Sequence, residues 1–323
     1  MDLAAIRAAA RLLEAGTLVG MPTETVYGLA ADASNPDAVA AIFAAKGRPS
    51  NHPLIVHVAR DADLSRWVAE LPEPARQLIA AFWPGPLTLI LKRASQVPLA
   101  VTGGQDSVGL RCPAHPVAQA LLQEFRQGQG GLAAPSANRF GRVSPTTAQH
   151  VIDEFGAPGV GPLAAVLDGG QCDVGIESTI VDLTRLDTVG PVLLRPGRIS
   201  HEQLAQVLGV SLSLPDQAAP RVSGSLDAHY APQTPLALVA TAELQRVVEA
   251  LQAKDKKIVT LRCQPDAHDY AHALYASLRA LDDEGADLIL VEQPPQEPVW
   301  QGVNDRLRRA AFDSAGILAR LLA

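Results

Sequence analysis

The chain has 323 residues, of which 47% are hydrophobic and 19% charged, a composition typical of a globular protein with a large core. Its length favours about two domains. The formal net charge of −7 argues against a protein whose main function is to bind a nucleic-acid backbone. An aromatic content of only 4% offers few side chains on which bases could stack. A local basic pocket for a small anion remains compatible with this acidic surface.

The cysteines and the N-terminus both indicate a cytoplasmic protein. Cys112, Cys172 and Cys263 form an odd, sparse set without metal-binding spacing, as is usual in the cytosol. Residues 1–16 have the pattern of an amphipathic helix that ends at Gly16, and not that of a signal peptide. No apolar run approaches the ~20 residues that span a bilayer, so we expect no membrane contact.

Strand and helix patterns alternate through the first 208 residues. Apolar and β-branched runs predict strands at residues 17–21, 53–58, 87–91, 107–111, 132–134, 164–168, 178–183 and 192–195. Helical periodicity and end signals predict helices at residues 1–16, 35–47, 72–82, 115–125 and 199–208. Because two of these strands, 87–91 and 107–111, follow each other without a full helix between them, we expect a mixed α/β sheet.

A change of composition divides the chain after residue 208. Residues 209–235 are rich in proline, serine and glycine and predict a linker between an N-terminal domain, 1–208, and a small C-terminal domain, 236–323. The strands predicted beyond the linker are 236–240, 257–261 and 287–291, and the helices are 242–253, 269–282 and 303–312. Their alternation predicts a Rossmann-like β/α unit.

Residues 21–58 carry an unusual density of polar groups between two predicted strands. They include Lys46 and Arg48, two cations one residue apart at the end of a helix, which can both reach one polyphosphate. The alternative is structural, because the helix dipole favours cations at a helix C-terminus. The stretch therefore indicates an anion site, and the structural alternative stays open at this point.

Polar side chains also follow other predicted strands. Ser136 and Asn138 lie in a Pro-Ser-Ala-Asn turn suited to phosphate oxygens, and Ser178 begins a β-branched strand. Arg111 and Arg195 each end a short strand shortly before a proline, where α/β sheets bind ligands. The structural alternatives are a turn or helix cap for the serines and surface salt bridges for the arginines.

Other site motifs are absent or incomplete. No GxxxxGK[ST], GxGxxG or GxSxG occurs, so P-loop, dinucleotide-binding and hydrolase-elbow interpretations lack support. His268 and His272 have helical spacing but lack the glutamate of HExxH, and we expect them on an exposed helix face. No metal site is therefore predicted.

Eight motifs, in chain order, resemble those of the YrdC-like threonylcarbamoyl-AMP synthases. They are PTETVYGL, KGRP, PLIVHV, WPGPLTLIL, SVGLRCP, PSANRFGRVSPT, ESTIVD and LLRPG, and they span roughly residues 5–200. HYAP in the linker and NDRLRRAAF near the C-terminus resemble the longer, two-domain form. The resemblance implies a YrdC-like mixed twisted sheet with flanking helices, followed by a small Rossmann-like domain.

The resemblance also implies a reaction. Such enzymes are nucleotidyltransferases that convert L-threonine, bicarbonate or CO2, and ATP into L-threonylcarbamoyladenylate and pyrophosphate, for threonylcarbamoyladenosine modification of tRNA. Mg2+ is expected to accompany ATP without dedicated protein ligands. The expected partner is the tRNA threonylcarbamoyl-transferase machinery, which takes over the product, and a weak contact with tRNA itself is also expected.

Site residues follow from the same resemblance. Lys46 and Arg48 are the expected catalytic cations. The residues expected to bind ATP are Lys46, Arg48, His52, Ser107, Ser136, Asn138, Ser144, Arg195 and Tyr230, with Tyr230 closing over the nucleotide from the linker. Those expected around threonine are Thr23, Thr25, His57, Arg111, Ala134 through its backbone, and Ser178, with Arg111 pairing the carboxylate. His52 stands where the family more often has asparagine, which makes that contact pH-sensitive.

Two alternative functions remain open at this stage. A non-catalytic RNA-binding or regulatory module of the same fold could present a basic surface formed by Arg111, Arg139, Arg142, Arg195 and Arg198. A carbamoyl-transferring enzyme could instead act on another amine or hydroxyl acceptor. The acidic net charge and the retained Lys-x-Arg and Ser-x-Asn residues favour the synthase over the RNA-binding module.

Overall fold

A computed structural model of the chain describes residues 1–224, 226–314 and 316–323. The chain forms two compact units: an N-terminal unit of Met1–Phe140 and Pro145–Ser225, and a C-terminal unit of Gly141–Ser144 and Leu226–Ala323. The predicted linker, 209–235, thus contributes residues to both. Its residue 225, and residue 315 of the predicted C-terminal domain, lie outside the described residues.

The N-terminal unit is built on one mixed sheet, which has nine strands among the described residues. They are β1 (Leu18–Met21), β2 (Gly28–Asp32), β3 (Ile55–Val58), β4 (Leu87–Lys92), β5 (Ser107–Arg111), β6 (Gly131–Ala133), β7 (Leu163–Val166), β8 (Thr179–Asp182) and β9 (Val192–Arg195). Their order is β7-β1-β2-β6-β3-β5-β4-β8-β9. Because β1–β7, β3–β5 and β4–β8 are parallel pairs and the others antiparallel, the predicted mixed α/β sheet is confirmed.

Helices cover both faces of this sheet. They are α1 (Leu3–Glu14), α2 (Pro36–Lys46), α3 (Glu73–Phe82), α4 (Leu99–Thr102), α5 (Pro116–Glu124), α6 (Ala148–Phe155), α7 (Leu186–Val189) and α8 (His201–Leu208). On β2, Leu29 and Ala31 face one hydrophobic cluster, while Ala30 between them faces the other. This alternation divides the core into two layers, one on each side of the sheet.

Four elements of the N-terminal unit escaped the sequence analysis: strand β2, helix α6 and the one-turn helices α4 and α7. Strand β2 has the sequence GLAAD, which lacks β-branched and aromatic residues, yet all five residues are buried and pair with β1 and β6. Helix α6 is capped by the Thr147 side chain and buries Val151 and Phe155. Tertiary pairing accounts for β2, and it makes β1 and β2 a hairpin whose connection, residues 22–27, carries the Pro-Thr-Glu-Thr motif.

The ends of α2 set the position of the Lys-x-Arg motif. The Asn35 side chain accepts from the N–H groups of Asp37 and Ala38, and Pro36 occupies the first turn, as is favoured at a helix start. Gly47 ends the helix in the left-handed region at φ 63°. Lys46 is therefore the last residue of the helix, and Arg48 lies in the loop that follows Gly47.

The C-terminal unit contains a separate, parallel sheet. Its elements are β10 (Leu236–Val239), α9 (Thr241–Gln252), β11 (Ile258–Leu261), α10 (Ala267–Asp282), β12 (Leu288–Glu292), α11 (Gln301–Ala310) and α12 (Ile317–Leu322). Among the described residues the three strands have the order β10-β12-β11, so the predicted small β/α unit is confirmed. His268 and His272 are half-buried on α10, which corrects the expected exposed face.

Candidate functional site

Arg111, the last residue of β5, is held by the loop between β1 and β2. Its Nη2 donates to Glu24 Oε1 at 2.6 Å, its Nη1 to Thr25 Oγ1 at 2.8 Å, and its Nε to the carbonyl of Gly85 at 3.3 Å. Arg111 and Glu24 are only 4% and 6% exposed, so this pair is not a surface salt bridge. Two of the five guanidinium N–H groups have no acceptor among the described residues.

The two threonines of the same loop form a directed chain of hydrogen bonds. Thr23 Oγ1 donates to the carbonyl of Val26 at 2.6 Å, and it lies 2.9 Å from Thr25 Oγ1. Since a hydroxyl has one proton, Thr25 must donate to Thr23, which leaves Thr25 Oγ1 to accept from Arg111. Both threonines are buried and hold the guanidinium in one orientation.

His57 lies beside Arg111 in the sheet. The two residues are Cα partners in the parallel pair β3–β5. Burial, with the neighbouring Arg111 guanidinium as the next cause, lowers the pKa of His57 to about 3. The imidazole is therefore neutral at physiological pH and adds no positive charge beside Arg111.

Lys46 ties the end of α2 to the Pro-Ser-Ala-Asn turn. Its Nζ donates to the carbonyls of Ser136 and Asn138, both at 2.5 Å, and the N–H of Phe140 donates to the Lys46 carbonyl at 2.9 Å. Burial, and then the nearby Arg48, lower the pKa of Lys46 well below its usual range. The structure thus brings the predicted Lys46, Ser136 and Asn138 together.

Arg48 and His52 lie against the ring of Phe140. Arg48 Cζ is 5.9 Å from the ring centroid, and the His52 ring meets it edge-on at 5.4 Å between centroids. Arg48 Nη2 also donates to the Pro53 carbonyl at 3.0 Å. Burial, Arg48 and Arg221 lower the pKa of His52, so a contact from this position comes from a neutral imidazole.

Arg195, at the end of β9, joins Ser178 to the residues that precede the C-terminal unit. Its Nε and Nη2 donate to the Ser178 carbonyl at 3.1 and 3.0 Å, and Nη2 also lies 3.2 Å from Ser178 Oγ. Its Nη1 donates to the Ser223 carbonyl at 2.8 Å, while Arg48 Nη1 lies 3.5 Å from Ser223 Oγ. Two arginines predicted to bind ATP therefore meet at Ser223.

The remaining predicted residues of the N-terminal unit lie in different places. Ala134 follows β6, and its N–H donates to the Ile55 carbonyl at 3.2 Å, which brings its backbone to β3. Ser107 begins β5, the strand that Arg111 ends, so the two lie about 13 Å apart along the strand. Within the described chain, the Ser107 side chain has no hydrogen bond to another predicted site residue.

Ser144 and Tyr230 belong to the C-terminal unit and contact other residues of that unit. The carbonyls of Ser144 and the preceding Val143 accept from the Arg279 guanidinium. The Tyr230 ring stacks on Tyr275 at 5.8 Å between centroids, and Arg306 Cζ lies 5.5 Å from the Tyr230 centroid. Tyr230 also has a positive φ of 62°, so its neighbours hold it in an unusual backbone conformation.

Glu24, Phe140 and Ser223 were missed by the sequence analysis. Glu24 lies between two predicted threonines, and an acid inside an apolar hairpin was a signal that it has a buried partner. Phe140 follows the Ser-x-Asn motif closely, where an aromatic ring beside several arginines is also informative. Nothing in the local sequence marks Ser223, because its contacts depend on the fold.

The described residues contain neither a metal-binding cluster nor a membrane-spanning helix. No group of three or more histidine, cysteine, aspartate or glutamate side chains that could hold a metal ion occurs among them. In the same part of the chain, no helix is both long and apolar enough to cross a bilayer.

Buried arginines and a buried lysine at strand and helix ends of a mixed sheet define an α/β protein suited to an anionic ligand. The chain belongs to the Sua5/YciO/YrdC family, whose sequence profile, described as "Telomere recombination", matches residues 11–197. A second profile, described as "Threonylcarbamoyl-AMP synthase, C-terminal domain", matches residues 199–312. The family predicted from the motifs is thereby confirmed.

Two relatives and one solved structure match this chain over nearly its whole length. The chain is 38% identical to the threonylcarbamoyl-AMP synthase of Pyrococcus abyssi, over 95% of this chain and 94% of the relative. It is 39% identical to that of Bacillus subtilis, over 95% and 92%. The crystal structure of P. abyssi Sua5 complexed with L-threonine matches with a TM-score of 0.88 and 34% identity, covering 96% of this chain and 95% of that chain.

Proposed function

We propose that this protein is an enzyme that forms L-threonylcarbamoyladenylate and pyrophosphate from L-threonine, bicarbonate or CO2, and ATP. The reaction is a nucleotidyl transfer: a carbamate oxygen forms a bond to the α-phosphorus while the bond from that phosphorus to the β-phosphate oxygen breaks. Family membership in both units and full-length similarity to two synthases support the proposal over a non-catalytic RNA-binding module.

Threonine binds, in this proposal, at the Arg111 end of β5. The two remaining guanidinium N–H groups suit a carboxylate, and Glu24 and Thr25 already fix the orientation of the fork. The neutral His57 beside it adds a polar contact without a second charge. Thr23, Thr25, Ala134 and Ser178 complete the proposed threonine site. The related structure that contains L-threonine supports threonine as the amino acid.

ATP binds, in this proposal, where the described cations gather around Ser136, Asn138 and Ser223. Attack at the α-phosphorus moves negative charge onto the departing pyrophosphate, and preorganised cations stabilise it. Lys46 and Arg48 are the proposed catalytic cations. The further nucleotide contacts that we propose are His52, Ser107, Ser136, Asn138, Ser144, Arg195 and Tyr230.

The transfer step needs little general acid or general base catalysis from the protein. Once threonine has become a carbamate, its oxygen is already anionic, so positioning and charge stabilisation carry the transfer. Mg2+ would arrive with ATP and coordinate its phosphates. We propose no protein ligand for it.

The product is a reactive mixed anhydride, which requires a prompt acceptor. We propose that a tRNA threonylcarbamoyl-transferase takes it over in the cytoplasm, with at most a weak direct contact between this chain and tRNA. The alternative of carbamoyl transfer to another amine or hydroxyl acceptor is tested by competition with threonine analogues, which should slow a threonine-specific enzyme only.

The convergence of Lys46 with Ser136 and Asn138, and of Arg48 with Arg195, is the observation that carries the proposal. The test is threonine-dependent pyrophosphate release by the Lys46→Ala/Arg48→Ala variant. We expect release to be abolished. A matched control, Arg66→Ala/Arg76→Ala, removes two exposed cations of the same unit and should keep wild-type release. Full activity of the first variant would contradict the proposal.

A further inference from the structure

A cavity of about 520 Å³ lies at the carboxyl ends of the parallel strands in the C-terminal unit. Its walls are the residues after β10, the residue Cys263 after β11, and the end of β12 with the loop that follows. The lining residues are Ala240, Thr241, Cys263, Glu292, Gln293, Pro294, Pro295 and Gln296. Open α/β sheets bind ligands at this edge, and the volume is that of a small-molecule site. None of the residues assigned above to ATP or threonine lines it.

Glu292 gives this cavity a buried negative group. It is the last residue of β12 and only 9% exposed, and its Oε2 accepts from the Cys263 N–H at 3.0 Å. Its Oε1 has no donor, and the carboxylate has no ion-pair partner, within the described parts of the chain. A buried carboxylate without a counter-charge is unfavourable, so a ligand that brings a cationic N–H donor gains free energy here.

The start of α9 gives the same cavity its donors. Ala240, the residue at the helix N-cap, provides no side-chain hydrogen bond to the first turn. The N–H groups of Thr241 and Ala242 have no acceptor in the described structure, and Thr241 lines the cavity. Glu292 shares a strand face with Leu288 and Leu290, which pack in one cluster with α9, so the carboxylate points to the side of the sheet where the helix lies.

We propose that this cavity binds a free α-amino acid, with its ammonium group at Glu292 and its carboxylate at the first N–H groups of α9. A ligand with only negative charge would be repelled by the Glu292 carboxylate. A ligand with only positive charge would leave the helix N–H groups without an acceptor. A zwitterion satisfies both. Pro294 and Pro295 form an apolar wall for the side chain of the amino acid.

The test measures binding directly on the full chain. The probe is a mixture of L-amino acids without threonine and serine, followed by saturation-transfer NMR, and the amino acid with the strongest signal is then titrated by calorimetry. We expect one or more amino acids to bind the wild type and to bind Glu292→Gln at least 10-fold more weakly. Glutamine retains an acceptor for the Cys263 N–H. Glu297→Gln, an exposed change nearby, should bind as the wild type does.

A second variant tests the helix side and does not depend on Glu292. Thr241→Pro removes the N–H and the hydroxyl at the first helical position, where proline is tolerated. Ala240 before it has φ −60° and ψ 143°, which suit a residue that precedes proline. We expect binding several-fold weaker with unchanged thermal unfolding, while Lys46→Met should bind as the wild type does. Absence of amino-acid binding, wild-type binding by both cavity variants, or loss of binding in Lys46→Met would overturn the proposal.

Discussion

Glu24 Oε1 lies 2.6 Å from Arg111 Nη2, and both side chains are buried. The second carboxylate oxygen accepts from the Ala114 N–H at 3.0 Å, so Glu24 joins the β1–β2 loop to the end of β5 and to the chain beyond it. The Arg111 guanidinium therefore has its orientation set in advance for the threonine carboxylate that we propose it binds. In the proposed reaction, Glu24 acts on threonine through Arg111 without touching it.

Replacing Glu24 by alanine should destabilise the N-terminal unit. The change leaves the Arg111 guanidinium buried without its counter-charge, which lowers the free energy of unfolding by about 3–5 kcal/mol. Urea unfolding followed by circular dichroism measures this. Glu70→Ala, which removes an exposed salt bridge to Lys92, is the control and should leave the transition unchanged.

Glu24→Gln separates positioning from folding. Glutamine keeps the size and an acceptor but loses the charge, so Arg111 is held less firmly. We expect the KM for threonine to rise while the KM for ATP stays near its wild-type value. Equal increases in both KM values would show that Glu24 acts on the whole fold and not through Arg111.

His57 should make stability depend on pH below neutrality. Its pKa is about 3 in the folded protein, against about 6.5 in an unfolded chain, so between these values the unfolded state binds more protons. Stability is therefore present above pH 6.5 and falls as the pH drops through this window, by up to about 1.4 kcal/mol per pH unit. His57→Gln lacks this contribution, so its free energy of unfolding should fall less between pH 7 and pH 5. Parallel curves for the two proteins would contradict the account.

Lys46→Met should loosen the Pro-Ser-Ala-Asn turn as well as remove a charge. The carbonyls of Ser136 and Asn138 lose their donor, and each unsatisfied buried acceptor costs about 1–3 kcal/mol. Hydrogen exchange of residues 136–140 should become faster. The control is Lys256→Met, a change in the C-terminal unit, which should leave exchange in this turn as it is in the wild type.

Tyr230→Ala should raise the KM for ATP more than the KM for threonine, if the ring closes over the nucleotide as proposed. Because the ring packs on Tyr275 and Arg306, the alanine variant also loses contacts within its own unit. Tyr230→Phe keeps the ring and serves as the control, with near wild-type KM values. An unchanged ATP dependence in a folded Tyr230→Ala variant would count against closure.

The sequence correctly predicted those elements whose ends and periodicity are set by residues adjacent in the chain. Asn35 and Gly47 mark the two ends of α2 because capping chemistry is local, and residues 107–111 were predicted as the strand that the structure shows. Strand β2 was missed because pairing with two neighbours, and not the propensity of Gly-Leu-Ala-Ala-Asp, makes it a strand.

The candidate site, like the fold, was predicted only in part from the sequence. The sequence pointed to Lys46, Arg48, Ser136 and Asn138 as residue types, and their family resemblance assigned them to one ligand. The partners of these residues were not predictable, since Glu24 meets Arg111 across 87 positions and Ser223 meets Arg48 across 175. Such contacts depend on sheet register and chain path, which no local pattern encodes.

The most direct test of the central claim is the product itself. The wild-type protein is incubated with ATP, bicarbonate and L-threonine, and the mixture is analysed by mass spectrometry, with each substrate omitted in turn. We expect L-threonylcarbamoyladenylate in the complete mixture and none when any substrate is missing. Salt-dependent tRNA binding by a folded protein that makes no adenylate would contradict it.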